Sequence, residues 1–189
     1  MKIHEDCFSD GQIKSKLWCC EELEKIITLH KSYNIWVLGG WNGILPFLLF
    51  SRNNIKINQI RSFDLDTDFV KNANTINKVW HMDNWKFLSI NKDVNDLDYE
   101  NEEFCEEPDI IINTSSEHID SYIWFDTIPN DKIVVIQSNN MILDDHVNLV
   151  NNKDELCDKY KMNNLLYNGS LDFNYDTWSF TRFMIIGTK

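Results

Sequence analysis

The sequence has little of what breaks up regular structure. Three prolines and six glycines in 189 residues are too few for a disordered, linker-rich or collagen-like chain. It also lacks a membrane-length apolar run: the longest, residues 44–50, falls far short of the ~20 residues that cross a bilayer. The opening stretch MKIHEDCFSDG has no apolar core of a secretory signal, so the expectation is a cytoplasmic protein with no membrane partner. Basic residues are scarce, 18 against 30 acids, for a formal net charge of −12. Phosphate backbones are held chiefly by Lys and Arg, so this balance argues against nucleic acid as a partner. The five cysteines are odd in number, include the adjacent pair Cys19 and Cys20, and form no CxxC. That excludes a conventional disulfide framework and a thiolate zinc site, and fits small apolar residues in a reducing compartment. His4, His30, His81, His118 and His146 are scattered rather than spaced as ligands, so no metal site is expected. Nothing fixes an oligomeric state, and an oligomer stays open.

What is present is enough apolar material, 43% hydrophobic and 13% aromatic, for one core and hence one domain, residues 1–189. Residues 1–33 read as an amino-terminal helical segment, either a lid or an edge element, and residues 34–189 as the core. From Ser15, a candidate cap, KLWCCEELEKIITLH places Leu17, Cys20, Leu23 and Ile27 on one helical face. NIWVLGG is a short apolar run ended by glycines, a buried strand. ILPFLLFS follows as a helix, with Pro46 tolerated in its first turn. The unit repeats with strand QIRSFDLD and helix TDFVKNANTINKVW, for which Thr67 is the expected N-cap. WKFLSI is a third strand, leading to an acidic loop over residues 93–107. DIIINTS is a fourth, HIDSYIWF a short helix and KIVVIQS a fifth strand. A weaker helical pattern covers residues 144–160. NLLYNGSLDF and WSFTRFMIIG have no helix between them and pair as a terminal antiparallel hairpin. The expected fold class is α/β: a three-layer sandwich around a mostly parallel seven-stranded sheet with a C-terminal antiparallel hairpin.

Ligands of such sheets bind beyond the carboxyl ends of the strands, and polar residues follow each apolar run. Gly39-Gly40-Trp41-Asn42-Gly43 stands after the first strand, where glycine lets the backbone turn and approach a ligand. A tight strand-to-helix turn needs the same residues without any ligand. Asp64-Leu65-Asp66 ends the second strand. Asp64 is placed to accept hydrogen bonds from both hydroxyls of a ribose, whereas Asp66 reads as a solvated helix-start acid.

With these motifs in place, the sequence resembles the class I, Rossmann-like S-adenosylmethionine-dependent methyltransferases over residues 34–189. VLGGWNG is similar to the family's first motif, and SFDLD to its second. NKDVNDL resembles the segment after the third strand, which implies Asp93 on the adenine amine and Val94 on its ring. INTSSEHI resembles the motif after the fourth strand, where a Glu-His pair is frequent among enzymes acting on small molecules. The last strand, RFMIIGTK, is similar to the reversed strand that separates this fold from nicotinamide-binding domains. The chain departs from the family pattern at Val37, where an acid is usual, and at Trp41, where the middle glycine is usual. Trp41 packs either beside the sulfonium or over the helix start.

The resemblance implies S-adenosylmethionine as cofactor, held by Gly39, Gly40, Trp41, Asn42, Gly43, Asp64, Leu65, Asp93, Val94 and Asn113. It implies a small-molecule acceptor, with Glu117 and His118 as the catalytic candidates, as base or acceptor-orienting group; each could equally be structural, Glu117 as a helix cap and His118 packed beneath it. Lys16 and Trp18 on the amino-terminal helix, with Ser115 and Gln137, are the substrate-binding candidates; Asn139 and Asn140 follow the same strand as Gln137. The Asn/Asp-Pro-Pro-aromatic signature of enzymes that methylate base amines is missing. The functional expectation is therefore methyl transfer to a small molecule. The alternatives are another S-adenosylmethionine chemistry, of lyase or cyclase type, and a catalytically silent binding or assembly protein.

Overall fold

The computed structural model describes Ile3 and residues 5–189, so His4 lies outside the described residues. The strands are β1 (Tyr33–Leu38), β2 (Ile57–Asp64), β3 (Phe87–Asn91), β4 (Ile110–Asn113), β5 (Ile133–Asn139), β6 (Asn164–Asn174) and β7 (Ser179–Thr188). They form one seven-stranded sheet in the order β3-β2-β1-β4-β5-β7-β6. β1 pairs in parallel with both β2 and β4, while β7 runs antiparallel to β5 and to β6. The chain leaves β1 toward one side of the sheet and later returns to its other side at β4. That reversal opens a crevice at the carboxyl tips of β1 and β4.

The helices are α1 (Asp10–Ile26), α2 (Ile44–Arg52), α3 (Thr67–Ile76), α4 (Lys78–His81), α5 (Ile123–Asp126) and α6 (Lys153–Lys159). Period-two alternation within the strands sorts side chains into two cores. Ile35, Val37, Ile110, Ile112 and Val135 pack with Cys19, Cys20, Leu23, Leu45, Leu49 and Ala73 from α1, α2 and α3. Trp36, Leu38, Ile111, Val134 and Ile136 face the other way, onto Trp124 and Phe125 from α5, Leu156 from α6 and Tyr160 just after it. Apolar residues on both sides of each central strand are what a sheet covered by two helical layers requires.

The elements agree with the sequence reading in kind and differ at several ends. α1 begins at Asp10, capped by Ser9, whose side chain accepts from the Gln12 N–H. Ser15 is buried inside the helix, and its hydroxyl donates to the Gln12 carbonyl. α3 is capped by Asp66, not Thr67: its carboxylate accepts from the Asp68 and Phe69 N–H groups at 2.7 and 3.3 Å. A carboxylate there also complements the positive end of the helix dipole. Only Lys153–Lys159 of the weak pattern over 144–160 is helical, because the preceding stretch bonds to another loop. No helix of the described residues is long and apolar enough to cross a membrane. The five cysteines are free thiols, three of them buried.

Candidate functional site: a cleft at the strand tips

A cavity of about 610 Å³ lies across the tips of β1, β2, β4 and β7, within the range of small-molecule sites. Its first end is made by the glycine turn. A Cβ on Gly40 would sit 1.8 Å from the Ser62 hydroxyl of β2, so any larger residue there would have to displace that hydroxyl. Gly43 takes the left-handed conformation at φ 75° and starts α2; a Cβ there would meet Ala73 and Asn77. Trp41, between them, also has a positive φ of 48°. A glycine-like backbone persists at the position where the family pattern has glycine.

Asp64 joins this turn to β2. Its carboxylate accepts from the Trp41 N–H at 2.8 Å and from the Asp66 N–H at 3.0 Å. Burial pushes its pKa up from the ordinary value, and those amide bonds oppose the rise. Leu65, Phe69, Val94 and Asp93 continue the wall. Asp93 caps a short 3₁₀ turn, Val94–Asp96, by accepting from the Asn95 N–H at 2.8 Å.

The second end is built around Glu117, on the 3₁₀ turn Ser116–His118 after β4. Glu117 is 2% exposed. Its Oε1 accepts from the Asn139 amide at 2.6 Å and faces Arg182 of β7 at 3.3 Å. Arg182 is itself buried and donates to the Thr114 carbonyl. His118 and His146 stand edge to face with ring centroids 4.7 Å apart. One ligand atom from each of Glu117, His118 and His146 lies within 4.8 Å of the others. Thus two histidines 28 positions apart, not expected to bind a metal, converge with Glu117 on one wall of the cleft.

Lys16 of α1 reaches the cleft from the helical side. It donates to the Gln12 side-chain oxygen and stands 6.0 Å from the centre of the Trp41 ring. Burial, followed by the charge of Arg182, lowers its pKa to about 8.

No protein-family model matches the sequence, and no curated protein matches it. Solved structures do. An N-methyltransferase, NodS from Bradyrhizobium japonicum, superposes with a TM-score of 0.65 at 10% identity, over 96% of this chain and 99% of its own. The magnesium protoporphyrin IX methyltransferase of Synechocystis, solved with bound S-adenosylmethionine, gives 0.61 at 7% identity over 99% and 86%. The geranyl diphosphate C-methyltransferase of Streptomyces coelicolor gives 0.62 at 11% identity over 97% and 84%. The fold is that of the class I methyltransferases. At these identities the likeness is one of architecture, and in this methyltransferase fold the cleft described above occupies the strand-order reversal.

Of the residues expected at the site, Lys16, Gly39, Gly40, Trp41, Asp64, Leu65, Asp93, Val94, Ser115, Glu117 and His118 all line the cleft. Five others lie off it. Trp18 turns to the sheet edge, where its indole N–H donates to the Tyr167 hydroxyl at 3.1 Å. Asn42 is buried behind the glycine turn, donating to the Cys7 sulfur and accepting from Asn72, both at 2.9 Å. Gly43 is enclosed by α3. Asn113 is buried and accepts from the Ser115 N–H. Gln137 is buried and donates to the Ser15 carbonyl, tying β5 to α1. Sequence reasoning missed Arg182, Phe69 and His146. The lone cation in the apolar run RFMIIG was a readable signal for Arg182; His146, in a loop, carried none.

Proposed function

We propose that this chain is an S-adenosylmethionine-dependent methyltransferase acting on a small-molecule acceptor. The observation that carries it is the 2.8 Å bond from the Trp41 N–H to Asp64. It sets the glycine turn and the β2 acid side by side at the mouth of one cleft, as a nucleoside site on this fold requires. The residues fit the group. Each Asp64 oxygen takes one backbone N–H, so lone pairs remain for two ribose hydroxyls. Exposed Leu65 and buried Val94 supply apolar edges for the adenine ring, and Asp93 an acceptor for its amine. The Trp41 ring offers a π face to a cationic centre.

The cofactor, when bound, supplies an activated methyl group on a sulfonium. What the chain contributes is position and exclusion of water. Glu117 is a positioning residue: clamped by Asn139 and Arg182, it holds the turn that carries His118. His118 and His146 line the other end of the cleft, where an acceptor would sit. The wall completed by Ile119, Met141 and Leu143 is apolar enough for a small organic molecule, and the net charge of −12 disfavours a polyanion.

Calorimetric titration with S-adenosylhomocysteine tests the reading. The wild type should bind one equivalent, and Asp64→Ala should weaken binding about 10- to 100-fold, the worth of charge-assisted hydrogen bonds. Silence from the folded wild type, or equal affinity in Asp64→Ala and in the milder Asp64→Asn, would overturn it. Incubation of enzyme and S-adenosylmethionine without acceptor should release no methylthioadenosine; rapid release would favour a lyase.

A further inference from the structure

We infer that Glu117, His118 and His146 form a binding site for a first-row transition-metal dication such as Zn²⁺ or Mn²⁺. The cluster itself, one donor atom from each side chain within 4.8 Å, is the first ground. A tetrahedral centre with bonds of about 2.1 Å puts its ligand atoms roughly 3.4 Å apart, so the three donors would draw in by about an ångström on an ion.

The state of the donor atoms is the second ground. The Nδ1 of His146 lies 2.7 Å from the Met141 carbonyl oxygen. That of His118 lies 3.2 Å from the Asp145 carbonyl and 3.3 Å from its carboxylate. A ring nitrogen against a carbonyl oxygen carries the proton, so both rings are left with the Nε2 lone pair available. Metal-binding imidazoles are oriented in this way, by a carbonyl or carboxylate on the far nitrogen. Glu117 is prepared likewise: Asn139 and Arg182 take Oε1, while Oε2 is buried with no hydrogen-bond partner. An unpaired buried carboxylate oxygen is costly, and a cation against it removes the cost.

The backbone makes the arrangement rigid. The N–H groups of Val147 and Asn148 both donate to the Glu117 carbonyl, at 2.9 and 3.0 Å, so the loop bearing His146 is clamped to the turn bearing the other two ligands. Two imidazoles and one carboxylate suit a borderline metal better than Ca²⁺ or Mg²⁺, which favour all-oxygen sets. Three protein ligands on one wall leave the coordination positions that face the cleft open. Resting on the methyltransferase reading, those positions select an acceptor that binds through oxygen: a hydroxyl, an enol or a carboxylate.

The test titrates the metal alone into the metal-free, cofactor-free protein by calorimetry, using Zn²⁺ and Mn²⁺, with Co²⁺ followed by visible absorption. One equivalent should bind, and Co²⁺ should show nitrogen and oxygen ligation without thiolate charge-transfer bands. Bonds that merely orient a ligand are worth about 10- to 100-fold in affinity. His118→Ala and His146→Ala should therefore each weaken binding by at least about 100-fold, with circular dichroism confirming the fold. No stoichiometric binding, a thiolate spectrum, or affinity unchanged in both histidine variants would overturn the site. Titration of the same samples with S-adenosylhomocysteine separates the two readings: cofactor binding without metal binding sinks only the metal site, and metal binding without cofactor binding sinks the methyltransferase reading and the acceptor assignment that rests on it, but leaves the metal site standing.

Discussion

At the β1–β2 end of the cleft the chain presents backbone: a glycine turn packed against Ser62 and one carboxylate held by two amide N–H groups. At the β4–β5–β7 end it presents buried charge: Glu117, Arg182 and Asn139 drawn from three separate elements, with two imidazoles beside them. The first end is shaped by steric fit and tolerates little change of volume. The second is shaped by pairing and tolerates little change of charge. A cofactor common to many reactions needs only the first. Chemistry particular to one acceptor is what the second can vary.

The sharpest break in that comparison is Arg182→Leu. It strands Glu117 as a buried charge without its cation, and removing one member of a buried pair typically costs about 3–5 kcal/mol. Urea unfolding should show a loss of that size, and adding Glu117→Gln should recover much of it. Additive losses in the double variant would mean that the two side chains are not coupled.

Lys16 gives the next effect, and its sign is set by burial. Its folded value of about 8 lies below the ordinary 10.5, so the charged form weakens the fold below about pH 8. That penalty fades as pH rises from 8 to 10.5. Against Lys16→Met, the wild type should gain roughly 3 kcal/mol of relative stability across this window. Parallel stability profiles from pH 7 to 11 would show that the ammonium is not desolvated.

The steric end answers to Gly40→Ala. Its methyl group would fall on the Ser62 hydroxyl, and overpacking of this kind costs about 1–3 kcal/mol. Thermal unfolding should register the loss, and Ser62→Gly in the same chain should return most of it. If Gly40→Ala is neutral, the turn is looser than its contacts imply.

The contrast also explains what could be read from the sequence. Each strand is an apolar run with polar residues after it, so Gly39 and Asp64 were picked out by position and Asp93 and Glu117 by the family resemblance; all four line the cleft. The antiparallel pairing of β6 with β7 was legible because no helix separates the two strands. Helix starts were less legible: Ser9 and Asp66 cap with side chains, and Ser15 and Thr67, equally suited by type, lie inside their helices. Least legible was the wall that carries Glu117 and the two imidazoles. His146 reaches it only through a loop whose course depends on two amides bonding to the Glu117 carbonyl, a contact between segments that no local pattern encodes. Trp18 and Gln137 erred in the opposite sense, being of suitable type and on the right elements but facing packing partners.

The bond from the Asn42 amide to the Cys7 sulfur has a consequence for how the molecule is put together. Cys7 precedes the first long helix, yet it supports the underside of the glycine turn from a fully buried position. Cys7 is thus a foundation for the glycine turn, and that turn depends on a chain segment that lies outside the strand-and-helix repeat.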